Sequence, residues 1–243
     1  MKQITIGLCV LLGGCAAVPF ERGTSDDPWE SFNRGVFEFN QQADEWVLKP
    51  VAEGYANITP LGLRKSISNF FSHLDDINVV FNDLLQLKFD QAGKASGRFL
   101  LNTAVGFFGF FDSATDYGLP KQEQDVGQTL AFWGIDKGPY LVLPILGSST
   151  LRDSVGLVAD TTVRNLPFEY IKPDQTQTDI YYGSLGVKVL NTRAEFLGAE
   201  QLLDTAALDP YAFMRNAYLQ KRQALTNGKT AKKPAVSDKE LFD

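Results

Sequence analysis

Asp27-Pro28-Trp29-Glu30-Ser31-Phe32-Asn33-Arg34-Gly35-Val36-Phe37-Glu38-Phe39-Asn40 is the stretch whose reading decides the fold class. Asp27 suits an N-cap, Pro28 the first helical position and Glu30 the third, so the spacing predicts a helix start. From Trp29 onward Phe32, Val36, Phe39, Ala43 and Trp46 recur at intervals of 3, 4, 3, 4 and 3. That interval draws one apolar stripe along a helix of about 20 residues, ending before Pro50.

The same period continues outward. Pro60 opens a second helical pattern carrying Leu63, Ile67, Phe70, Phe71 and Leu74, and Ile77, Val80, Phe81, Leu84, Leu85 and Leu87 make a third. A fourth begins near Asp90 and flows through Phe99-Leu100-Leu101 into the Phe-rich residues 105–111. That run is too short to span a bilayer and too apolar to lie bare in water. Helical periodicity returns over 149–163, 176–206 and 209–226, and Asn227-Gly228 ends it. No repeat of 20–50 residues occurs, which excludes solenoids and propellers. The expectation is one mostly helical domain over residues 27–226.

Residues 112–148 break the pattern with glycine and proline. Gly134, Gly138 and Gly147 permit sharp turns, while Pro139 and Pro144 remove two backbone donors, so the run suits neither a helix interior nor a central strand. Tyr140-Leu141-Val142-Leu143 is either a brief strand or an extended loop. The run reads equally as the wall of a cavity, a membrane-facing loop or a buried core loop. Residues 99–111 likewise read either as a buried core helix or as a surface seated among acyl chains.

Composition narrows the function. The chain has 243 residues, a formal charge of −6, 44% hydrophobic residues, Phe 18, Tyr 8 and Trp 3, but only Cys 2 and His 1. This is enough apolar material for a core and excludes disorder of the whole chain. The acidic balance offers no basic footprint for nucleic acid. A single histidine excludes His-pair metal sites. No G-x-S-x-G, S-x-x-K, H-E-x-x-H or phosphate-cradling glycine loop is present. His73, two and three residues from Asp75 and Asp76, reads as a helix-terminal histidine beside helix-starting carboxylates, and a Ser–His–Asp hydrolase would have to use it. The expectation is a protein that is not an enzyme and needs no cofactor.

Both cysteines lie in the first fifteen residues. Lys2 and the apolar run Ile4 to Leu12 form a short secretory leader, too short to span hydrocarbon. Leu12-Gly13-Gly14-Cys15 resembles a bacterial lipobox, making 1–14 a signal peptide, Cys15 the lipid anchor and 15–26 a tether. Two or more acyl chains hold a protein stably at a membrane. Ala16 after the cysteine lacks the aspartate that resembles an inner-membrane retention signal. The expected place is the periplasmic side of the outer membrane. Residues 227–243 form a flexible basic tail whose end, Ser237 to Phe242, holds a small capping-box pattern.

These residues resemble the MlaA (VacJ) family of outer-membrane lipoproteins. The likeness rests on Asp27-Pro28-Trp29-Glu30, Phe32-Asn33-Arg34, Phe37-Glu38-Phe39-Asn40, Asn69-Phe70-Phe71, Asn82-Asp83-Leu84-Leu85-Gln86, Arg98-Phe99 and Asn102-Thr103. Gly106, Gly109, Asp112, Gly127-Gln128-Thr129-Leu130, residues 134–153 and Asp209-Pro210-Tyr211 complete it. One departure is Ser148, where the family more often has proline.

The resemblance implies an all-α fold: a single helical ring with an amphipathic central channel, lying in the inner leaflet of the outer membrane. Phospholipids mislocalised to the outer leaflet would enter the channel and pass to a periplasmic MlaC-like lipid carrier, while a trimeric porin holds the ring in place. It implies that Phe39 and Asn40 belong to a first-helix motif sensitive to gating, and that Gly138, Pro139, Tyr140, Leu141 and Pro144 shape the channel mouth. Leu241 and Phe242, on their basic linker, are expected to dock the carrier as a short helix. The alternative is a structural lipoprotein that scaffolds porins without moving lipid.

Overall fold

The computed structural model describes residues 27–171, 175–206 and 209–227. Cys15, the leader and tether, and Leu241 and Phe242 lie outside the described residues.

Helix α1 (Glu30–Ala43) opens where the Asp-Pro-Trp-Glu motif stands. Asp27 is not its cap, because the capping position falls at Trp29 and the buried Asp27 carboxylate instead accepts from Asn33 Nδ2 at 2.8 Å. The helix does not stop before Pro50. A π-helical turn (Asp44–Leu48) leads straight into α2 (Lys49–Ile58), with Pro50 in the first turn after the switch. Where bonding changes from i→i−5 back to i→i−4, a residue without an N–H costs least.

Helix α3 (Leu61–Leu85) fuses the second and third patterns into one. No glycine or proline separates them after Gly62, and Asp76 is a buried partner of Arg98 and Lys121, not a helix start. A short turn with Leu87 at φ 58° sends α4 (Phe89–Ala104) back along α3. Helix α5 (Ser113–Asp116) and α6 (Val126–Phe132) follow, capped by Asp112 and Asp125.

The Gly/Pro-rich run holds the only strands among the described residues. β1 (Tyr140–Leu143) pairs antiparallel with β2 (Gly147–Thr150), matching Tyr140 to Thr150 and Leu143 to Gly147. Three helices complete the fold: α7 (Leu151–Ile171), α8 (Gln175–Ala206) and α9 (Pro210–Thr226), the last with Asp209 as N-cap and Pro210 at its start. Helix α7 runs past residue 163, where the period alone ended it.

Ion pairs join distant parts of the chain. Arg34 holds both carboxylate oxygens of Asp209 at 3.2 and 2.7 Å, and Arg215 reaches Asp27 at 3.0 Å, so α9 returns onto α1. Arg193 of α8 grips Asp44 at 2.7 Å through each of two nitrogens, beside a 2.8 Å bond from Tyr55 to Asn191. Glycines set the α6–α7 crossing: a Cβ on Gly156 would lie 2.5 Å from the Gly127 nitrogen.

The interior is mostly polar. Its apolar part is a small cluster of Val36, Tyr140, Val142 and Tyr211, with Val79 and several alanines buried elsewhere. Around it Asn78 bonds Asp160 at 2.8 Å, Thr129 bonds Asn82 at 2.7 Å, and Arg98 lies 3.2 Å from Asp76 and 2.8 Å from Asp112. Many large apolar side chains of the stripes face outward, although Val36 of the first stripe is buried. Phe32 and Phe39 of α1 and Trp46 of the π-helical turn are exposed while Asn33 is buried, and Ile77, Phe81 and Leu84 of α3 are exposed while Asp76, Asn82 and Asp83 are buried. Water-soluble domains sort these residues the other way. No described helix is long and apolar enough to cross a membrane.

Candidate functional site

Polar side chains from several helices, with Phe71 among them, line a partly open cavity of about 400 Å³. Ser68, Ser72 and Asp75 share one face of α3 because they stand four and three residues apart. Lys121 and Glu123 enter from the segment before α6, Lys188 from α8 and Lys221 from α9. Lys121 is held firmly, donating 2.7 Å bonds to the Ser72 carbonyl and to Asp76, with Asp75 at 3.8 Å. Burial pushes the Asp76 carboxyl up, against the pull of Lys121 and Arg98. Lys221 pairs with Glu123 at 2.9 Å in a much more open setting.

A second cavity of about 220 Å³ shares Asp125 with the first and reaches Leu143, Leu146 and Ser148 of the hairpin. At that junction Arg222 donates to Asp125 and to Asp153, the latter at 2.8 Å, and Tyr218 donates to Asp153 at 2.8 Å. Burial opposes the charge on both carboxyls, but Arg222 holds each below the usual range. A charged latch thus stands between the polar cavity and the hairpin.

Helix α1 carries the hairpin on two asparagines. Asn33 donates to the Tyr140 carbonyl at 3.0 Å and accepts from the Val142 N–H at 2.9 Å. Asn40 repeats the pattern, donating to the Leu143 carbonyl at 2.9 Å and accepting from the Ile145 N–H at 2.7 Å. The two lie seven residues apart, two helical turns on one face, so each amide satisfies backbone that a neighbouring strand would otherwise pair. Asn40 also holds a strained position. Ile145 sits at φ 67°, a conformation costly for a β-branched residue, and its side chain is 80% exposed at the hairpin tip.

A second apolar projection forms at residues 105–111. Phe107 and Phe108 both have positive φ, and with Phe111 they stand roughly two-thirds exposed. The turn beneath them is tight: Gly109 donates to the Asn102 carbonyl at 2.8 Å, and a Cβ on Gly109 would collide with the His73 ring at 2.5 Å. Of the two readings of this stretch, the structure has the exposed one. His73 is in mid-helix, not at a helix end, buried and stacked on Phe99 with ring centroids 4.4 Å apart. Desolvation lowers its pKa, and its ring packs where a catalytic base would need access.

The residues expected to matter fall in one neighbourhood. Asn40 touches the hairpin directly, while Phe39 points outward on the same turn and is exposed. Gly138 takes φ 65° with Leu151 close against it, and the Pro139 carbonyl accepts from the Leu151 N–H at 3.1 Å. Tyr140 is buried, its hydroxyl 2.8 Å from Ser148, the position where this chain departs from the family pattern. Leu141 is partly buried and Pro144 is exposed at the tip. The sequence reading did not single out Asn33, Asp125 or Arg222. The seven-residue spacing of Asn33 and Asn40 was a usable signal, but no local pattern pairs Asp125 with a residue 97 positions away.

Comparison with known proteins agrees with this arrangement. The MlaA lipoprotein family model matches residues 25–225. The intermembrane phospholipid transport system lipoprotein MlaA of Escherichia coli K12 is 34% identical over 233 residues, covering 94% of this chain and 89% of that protein. Its Haemophilus influenzae counterpart is 31% identical over 93% of this chain and 92% of its own length. A protein of uncharacterised function from Rickettsia felis is 39% identical over 82% of this chain and 77% of its length. A chain solved in work on the structural basis for maintenance of bacterial outer membrane lipid asymmetry superposes with a TM-score of 0.70 at 34% identity, covering 83% of this chain and 99% of that one. That family is one of lipid-transport lipoproteins, not enzymes. With a helical fold that matches a solved relative and a family match spanning most of its length, the chain belongs to the MlaA lipoprotein family.

Proposed function

We propose that this protein is an outer-membrane lipoprotein, anchored through Cys15 on the periplasmic side, that removes mislocalised phospholipids from the outer leaflet and passes them to a periplasmic lipid carrier. The observation that carries the reading is the sorting of side chains: a mainly polar, partly open cavity among the helices and many large apolar side chains on the outside. Apolar surface of this extent is stable when acyl chains solvate it. A phospholipid crossing bare hydrocarbon must desolvate its headgroup, which costs many kcal/mol, and a polar passage removes much of that barrier without ATP at this step.

On this reading the helices form a ring around an amphipathic channel, a trimeric porin holds it at its working depth, and the hairpin shapes the mouth. The clasp of Asn33 and Asn40 sets the hairpin's position, and Leu241 and Phe242 dock the MlaC-like carrier. Deleting residues 237–243 is expected to weaken carrier binding and leave porin association unchanged. The deciding experiment measures outer-leaflet phospholipid at the cell surface in a strain lacking the gene and in a complemented one. A rise on deletion that complementation reverses is expected. No change, with the protein present in the parent, favours a scaffold for porins.

A further inference from the structure

The polar cavity carries both signs of charge within one small volume, which narrows the headgroup it can take. Its volume of about 400 Å³ is in the range of small-ligand sites and suits a headgroup, not acyl chains. Lys121, Lys188 and Lys221 supply ammonium groups, and Asp75 and Glu123 supply carboxylates. Asp125 also lines the space but is engaged by Arg222. The Lys221–Glu123 pair is more than half exposed on both sides, and pairs of that kind hold together weakly. They can exchange each other for ligand groups at little cost.

A phosphodiester is matched by lysines, and a headgroup ammonium by carboxylates. A headgroup with phosphate alone would draw Lys121 and Lys221 from the carboxylates beside them and bring its negative charge close to Asp75 and Glu123. A headgroup bearing both charges satisfies the two sets together. We propose that this cavity is a headgroup subsite preferring zwitterionic aminophospholipids to anionic ones, with Lys121, Lys188 and Lys221 toward the phosphate and Asp75 and Glu123 toward the ammonium. The inference rests on the lipid-transfer reading above and adds a substrate class to it.

The test uses the full-length lipidated protein, extracted from membranes in detergent and incubated with vesicles of equal phosphatidylethanolamine and phosphatidylglycerol. The protein is re-isolated and its retained lipid quantified. The expected result is a phosphatidylethanolamine excess of roughly three- to fivefold, the scale of a partly exposed ion pair. Glu123→Gln, at an exposed position where folding is not at stake, is expected to lower that excess, and Asp75→Asn/Glu123→Gln to abolish it while lipid is still retained. Equal retention of the two lipids by the unaltered protein, or an unchanged excess in Glu123→Gln, overturns the headgroup assignment and leaves lipid transfer standing. Retention of neither lipid overturns both.

Discussion

The α3–α4 interface and the two apolar tips are built on opposite rules. Between α3 and α4 the Asp76 carboxylate, 1% exposed, meets the Arg98 guanidinium, 3% exposed, and the buried His73 ring stacks on Phe99. At residues 105–111 and at the Ile145 tip, large apolar side chains stand outside on strained backbone. The polar interior holds the molecule together through paired charges and hydrogen bonds, whereas the tips contribute little to that and are free to meet something else. Stability and exposed apolar surface therefore reside in different residues, and substitutions can separate them.

The sharpest way to break that contrast is to remove one charge from the interior. Arg98→Ala removes the guanidinium that Asp76 and Asp112 share, leaving Asp76 to Lys121 and Asp112 to Asn102 and Thr115, and the expected loss is about 3 kcal/mol, read by denaturant unfolding. A loss below about 1 kcal/mol would mean that the polar interior is not what holds the fold.

Asp83 sharpens the same contrast through pH. It is fully buried, neither carboxylate oxygen has a hydrogen-bond partner among the described residues, and burial pushes its pKa up to about 6. The folded pKa lies above the unfolded one, so the stabilising contribution is present at low pH. It is lost as the pH rises from about 4 through 6, on the order of 2–3 kcal/mol in total. Asp83→Asn is expected to flatten that slope and raise the melting temperature at pH 7. An unchanged slope would show that the carboxyl is solvated.

Asn40 holds the backbone beneath the Ile145 tip. Asn40→Ala removes two backbone bonds at the hairpin, for an expected loss of about 1–2 kcal/mol. Hydrogen exchange at the Ile145 amide should rise well beyond that at Val142, which Asn33 holds. Uniform exchange along the hairpin would remove Asn40 from its positioning role. The smallest effect on stability belongs to the tips. Phe107→Asn/Phe108→Asn should change stability by less than about 0.5 kcal/mol, because both side chains are exposed and asparagine tolerates positive φ. Its partitioning into vesicles should fall clearly; unchanged partitioning would place the membrane contact elsewhere.

Much of the helical layout was legible in the chain itself. Pro28, Asp209-Pro210 and Asn227 mark ends that the structure places within a residue or two. The misreadings have physical causes. Pro50 looked like a stop because a π-turn that accommodates it has no sequence signature, and Asp75-Asp76 looked like a helix start because their partners lie on other segments. Tyr140 to Leu143 reads as strand or loop in the sequence because part of its backbone is held by Asn33 and Asn40, more than a hundred residues away.

The sequence alone determined that this is a helical protein with one irregular insert, because periodicity, caps and prolines act over a few residues. Only the tertiary structure decided which face of each helix turns inward. A 3.6-residue stripe separates an apolar face from a polar one but says nothing about which will be buried. Here Asp76 meets Arg98 and Lys121, Asp125 meets Arg222, and Asp27 meets Arg215, all across long sequence separations. Those pairings hold much of the polar faces inside and leave Phe32, Phe39, Phe81, Phe107, Phe108 and Phe111 outside, an outcome that no local pattern encodes.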